Sequence, residues 1–259
     1  MKRSFDIGTA AGLVFGISSV FGSFILEGGE IGALVLLPAM VIVFGGTIAT
    51  AVIGTSARDV LRAVKLMHFT IFPPRFPGKE TIDNLVRYSN IARKDGLLML
   101  EKELGRIENP FLRKLLRFAI DGTDPETLRS MGETEVRCVS DRHQKGASIF
   151  QKMGGYSPTM GIIGTVMGLI ATLASAGEDP NELIHHIASA FIATLWGVFM
   201  ANLVWLPIAD KLRNMHREEE LYMDMIIAGV VAIQAGEVPS VVKARLNSMV
   251  PARLQDIGR

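Results

Sequence analysis

The sequence predicts an all-α membrane protein: four transmembrane helices in two hairpins, a large helical cytoplasmic segment between helices 2 and 3, and a helical cytoplasmic tail. Three observations predict it. Mean hydropathy is +0.32 although 20% of the residues are charged, so charge is segregated along the chain rather than spread. Four windows lack Asp, Glu, Lys and Arg: Ile7 to Leu26, Ile31 to Ala57, Met153 to Gly177 and Leu183 to Ala209. All 27 Lys and Arg fall in residues 1–6, 58–152 and 210–259.

Each window reaches the ~20 residues a helix needs to cross the hydrocarbon core of a bilayer. Soluble core helices usually carry a polar face, and these do not. No cleavable leader is expected, because the first window is long and a second follows after only Glu27-Gly28-Gly29-Glu30. The two other connections carry acids alone: Glu27 and Glu30 in one, Glu178, Asp179 and Glu182 in the other. Lys and Arg mark the cytoplasmic side, so both termini and the middle segment are expected there. The expected parts are spans 1 and 2 in residues 1–57, a cytoplasmic helical domain in 58–152, spans 3 and 4 in 153–209, and a tail in 210–259.

The first two spans, rich in Leu, Val, Ile and Phe, read as an outer, lipid-facing pair. The third and fourth differ. Pro158, Gly161, Thr165, Gly168 and Thr172 recur every three or four residues and share one helix face. Ala190, Thr194, Gly197 and Ala201 do the same on the fourth span, with Pro207 near its end. Small faces allow close helix approach, and hydroxyls on them can bond across the gap. Two readings stay open here: the faces only pack, or Thr165 and Thr194 line a polar path. Proline near a span end frees backbone carbonyls and can act as a hinge.

In the middle segment, Ile82, Leu85, Val86, Leu97, Leu98 and Leu100 follow roughly helical spacing. Asn109-Pro110 and Asp124-Pro125 each read as an N-cap followed by proline at the first helical position. The first of these helices is expected to stop near Gly122. A further helix from Glu133 is expected to lead directly into the third span. Phe72 to Gly78, with three prolines, is the one clear linker.

Several functions are excluded. There is no basic excess for nucleic acid, the net charge being +1. No G-x-x-x-x-G-K-[ST] or H-E-x-x-H motif is present, and the chain reads as no enzyme. The single cysteine, Cys138, rules out a disulfide framework and reads as a packing residue. His185 and His186 are neighbours whose side chains point apart on a helix; His68, His143 and His216 are read as isolated. No ionisable acid or base of the Asp, Glu, Lys or Arg type lies inside any span. An ion-moving protein usually needs one. If this chain moves ions, a partner must supply the carboxylate.

Three stretches carry a resemblance. They are Ser157-Pro158-Thr159-Met160-Gly161-Ile162-Ile163-Gly164-Thr165-Val166-Met167-Gly168, then Ala190 through Gly197 and on to Pro207-Ile208-Ala209-Asp210-Lys211, and the cytoplasmic Ala92-Arg93-Lys94-Asp95-Gly96 to Glu101 with Ile107-Glu108-Asn109-Pro110. Together they resemble the MotA/TolQ/ExbB proton channel family, and four spans favour its flagellar stator branch of MotA and PomA type. The resemblance implies a homopentameric ring in the bacterial inner membrane. It implies a MotB-like single-span partner with an essential Asp, and a FliG-like rotor switch-complex protein as the target of torque. It implies no cofactor, only a transported H⁺ or Na⁺. By position, Thr165, Thr194, Pro158 and Gly161 match the ion path. Pro158 and Pro207 match the coupling prolines, and Arg93 and Glu101 match rotor-facing charges. Ala193 stands where the sodium-type pattern often has Thr, so the ion is left open. An ExbB- or TolQ-like energiser, or a non-conducting scaffold, stays as the alternative.

Overall fold

The computed structural model describes residues 5–174 and 180–250, with the side chains of 180–182 excepted. The end of the third window, Glu178 and Asp179 lie outside the described residues, as does the Glu182 side chain. The helices in chain order are α1 (Ile7–Leu26), α2 (Leu37–Met40), α3 (Gly46–Gly54), α4 (Ala57–Ile71), α5 (Gly78–Asp95), α6 (Glu101–Leu104), α7 (Pro110–Ile120), α8 (Pro125–Ala174), α9 (Pro180–Met200), α10 (Leu206–Gln234) and α11 (Pro239–Ser248). The described residues form no strand. Among the described residues, four continuous helical runs are long and apolar enough to cross a membrane, as the uncharged windows predict.

The chain divides into two compact units. The first holds residues 1–74 and 143–214, and the second holds 75–142 and 215–259. Both α8 and α10 contribute residues to each.

In the first unit, α1 starts at Asp6, whose carboxylate accepts the Thr9 N–H at 3.0 Å. No residue of α1 is buried, which matches the lipid-facing expectation. The second span departs from it. Its window opens not as helix but as a 3₁₀ turn at Ile31–Leu34, because Pro38 is best placed in the first turn of the helix proper. A π turn at Val41–Gly45 joins α2 to α3. Ala39, Val43, Thr47 and Ala51 recur every fourth residue and are buried to within 1%. That face belongs to protein, not lipid. Trp196 of the fourth span donates its indole N–H to the Leu34 carbonyl at 2.8 Å, tying the 3₁₀ turn down.

The fourth span is α9, a π turn at Ala201–Trp205, and the start of α10. Pro207 is the second residue after that turn. Proline cannot donate its backbone nitrogen, and a π turn already shifts the bonding pattern by one residue, so the two sit together without ending the helix.

In the second unit, Asn109 caps α7 through its side-chain oxygen, which accepts the Leu112 N–H at 3.0 Å. Gly122, at φ +83, ends it, with the Thr123 N–H bonded to the Phe118 carbonyl at 3.1 Å. Asp124 caps α8 by accepting from Glu126 and Thr127. The expected helices from Pro125 and Glu133 are one continuous α8 through Ala174, because nothing between them breaks the bonding. The core is Leu85, Leu100, Leu115, Leu116, Met225 and Ile226, all buried. Readings at three residues are corrected. Cys138 is exposed, not packed. His216 is buried and shares a 2.9 Å hydrogen bond with Ser140, and His68 lies 4.8 Å from the Phe72 ring.

Candidate functional site

The third-span part of α8 meets α9 along their small-residue faces. A Cβ on Gly161 would lie 2.9 Å from the Ala193 carbonyl oxygen. One on Gly197 would lie 2.7 Å from the Ser157 oxygen, and one on Gly168 would lie 2.8 Å from the Ala190 Cβ. Backbone therefore touches backbone, and only glycine permits it.

That approach brings the two predicted hydroxyls together. Thr165 and Thr194 are hydrogen-bonded to each other through their hydroxyls. Thr165 Oγ1 is also 3.1 Å from the Gly161 carbonyl in its own helix and 3.1 Å from the Ala190 carbonyl in the other. Two hydroxyl and two carbonyl oxygens thus gather around one half-buried point. Such a cluster can offer lone pairs to a hard cation or pass a proton through its hydroxyls. It holds no charge of its own.

Pro158 lies within α8, seven residues before Thr165, and leaves the Gly154 carbonyl without its usual helical donor. Beside it, Ser157 is fully buried, and its hydroxyl has no hydrogen-bond partner among the described residues. Thr47 on the second span is in the same condition. Sequence reading passed over both, although Ser157 stands in the strongest stretch; an apolar window hides a buried hydroxyl. Ala193, beside Thr194, is buried with its methyl facing Gly164.

Beyond α9, at the start of α10, the exposed Pro207 is followed one turn later by Lys211. Lys211 is paired with Asp6 at the start of α1. That ammonium, and then the Thr9 N–H, hold the Asp6 carboxyl down to about 2. Sequence reading missed this pair, because 205 residues separate its members.

Arg93 and Glu101 belong to the second unit and are both exposed. Arg93 is in the last turn of α5 and Glu101 opens α6. Between them Gly96, at φ +90, reverses the chain.

The fold and this site define a multi-pass membrane subunit of channel type, with a polar seam between two spans and no Asp, Glu, Lys or Arg among the described residues of the seam. The model of the MotA/TolQ/ExbB proton channel family matches residues 103–225, and that of the motility protein A N-terminal region matches 10–95. The chain belongs to the MotA/TolQ/ExbB proton channel family. It is 33% identical over 248 residues to motility protein A of Bacillus subtilis (strain 168), covering 93% of this chain and 90% of that one. It is 32% identical over 243 residues to chemotaxis protein PomA of Vibrio alginolyticus, covering 94% of each. The flagellar MotAB stator complex of Bacillus subtilis matches at TM-score 0.89 and 32% identity, over 96% of this chain and 97% of that chain. The flagellar stator branch expected from the three stretches is the branch these relatives represent.

Proposed function

We propose that this chain is the ring subunit of a flagellar motor stator. A MotB-like single-span partner supplies the ion-binding Asp, and the pair conducts H⁺ or Na⁺ into the cell and turns the ion-motive force into torque. One observation carries the reading: the Thr165–Thr194 hydroxyl pair sits in a seam that has oxygen ligands but no carboxylate. The motility protein A match over 10–95 favours this over an envelope energiser.

In this mechanism five copies surround two partner helices. The partner Asp lies in a low-dielectric helix interface, which raises its pKa and lets a proton or sodium ion neutralise it. Charged, it accepts hydrogen bonds from the Thr165 and Thr194 hydroxyls; neutralised by a proton or by a sodium ion that the same oxygens help to coordinate, it is released. Pro158 and Pro207 give the spans the hinges that convert this exchange into rotation. Arg93 and Glu101, exposed on the second unit, meet complementary charges on a FliG-like rotor protein. Both termini lie in the cytoplasm.

The test is co-expression with a MotB-like partner in a cell whose own stator genes are deleted. Restored swimming that stops when the ion gradient is collapsed is the expected result. Assembly at the motor with no rotation at any gradient would overturn the reading.

A further inference from the structure

Helix α4 carries a surface that the mechanism does not use. It begins at Ser56, whose hydroxyl accepts the Asp59 N–H at 3.1 Å, two residues after the second span ends at Gly54. Its residues divide into three stripes at helical spacing. Ala63, Leu66 and Met67 pack in a cluster with Phe150 and Met153, and Thr70 is buried on the same face. Leu61 and Val64 form a second stripe and are 71% and 62% exposed. Arg58, Arg62 and Lys65 form a third, also exposed, beside the apolar one. The helix has one acid, Asp59, at 3.6 Å from Arg62.

An exposed apolar stripe flanked by cations, starting where a transmembrane helix stops, matches the boundary between acyl chains and headgroups. We propose that α4 lies in that boundary and binds anionic phospholipid headgroups through Arg58, Arg62 and Lys65, with Leu61 and Val64 inserted beside them. The occupant is set by charge complementarity and by continuity with the span. Three cations on one stripe need phosphates that zwitterionic lipid already neutralises with its own amine. This depends on the membrane placement of the second span and not on torque generation, so it stands or falls separately from the stator reading.

The test uses the full chain with its single-span partner in nanodiscs. One set contains phosphatidylethanolamine alone and the other an equal mixture with phosphatidylglycerol. Native mass spectrometry should show phosphatidylglycerol retained preferentially, and added salt should weaken that preference. Replacing Arg58, Arg62 and Lys65 by Gln should lower phosphatidylglycerol affinity by about fivefold per cation, with the oligomer intact. No preference in the unmodified protein, at low salt as at high, would overturn the proposal without any variant. Equal retention by the triple variant would also overturn it. So would loss of the oligomer in the triple variant, which would assign the stripe to a neighbouring copy of this chain.

Discussion

The hydroxyls of Thr165 and Thr194 are hydrogen-bonded across the interface of the third and fourth spans. They meet only because the helices approach at Gly161 and Gly197. Composition supplies the two polar atoms, and the glycines supply the distance.

Replacing either threonine by Val therefore separates conduction from stability. Hydrogen bonds between membrane helices contribute about 0.6 kcal/mol on average, so folding should change little. Ion flux should fall by roughly tenfold or more, because an oxygen ligand is gone from the path. Thr165→Ser should keep most of it. Flux assays in proteoliposomes, beside thermal melting, give both quantities.

Gly161→Ala and Gly197→Ala should each destabilise the span pair by about 1–3 kcal/mol, the usual range for overpacking. Their new methyl groups meet backbone, which cannot rotate away. Gly155→Ala is the control, since nothing lies within 4 Å of a Cβ there. Melting temperatures of the three variants in one detergent should rank accordingly.

Reversing Arg93 and Glu101 together should abolish most torque while leaving assembly and melting unchanged. Both side chains are exposed, and surface charges of this kind contribute ~1 kcal/mol or less to folding. Swimming speed and the size of the purified oligomer are the two readouts. A ring that fails to assemble would assign them a structural role instead.

Asp6 and Lys211 join the first span to the beginning of α10. The folded carboxyl, at about 2, lies below its ordinary 3.8. The pair is therefore fully formed above pH 3.8 and its contribution is lost as pH falls toward 2. Across the physiological range it should be indifferent to pH. Asp6→Asn should lower the melting temperature at neutral pH, and the difference from the unmodified protein should shrink in acid. Exchanging the two residues should restore part of the loss.

Cys138 is the only cysteine and is exposed in the second unit. A membrane-impermeant maleimide should leave it unlabelled in intact spheroplasts and label it after permeabilisation. Labelling before permeabilisation would reverse the orientation inferred from Lys and Arg.

The spans are readable in the sequence because charge is costly in lipid, so its absence marks them. Asn109-Pro110 and Asp124-Pro125 reveal helix starts because capping chemistry is local. What stays hidden has physical causes. Ala39, Val43 and Ala51 look lipid-facing because a membrane and a protein interior are equally apolar. The π turns at Val41–Gly45 and Ala201–Trp205 have no compositional mark. Of the seam, Thr165 and Thr194 can be placed on facing helices from spacing alone. That their hydroxyls touch requires the register between two helices, which no single sequence encodes locally.

The uncharged interior of the four spans has a consequence for the cell. A membrane stores energy only while it insulates, and newly made channel proteins threaten that store. This chain, synthesised ahead of its partner or in excess of it, would be electrically silent. Under the proposed function the carboxylate arrives on another polypeptide, so a leak can begin only where assembly has been completed.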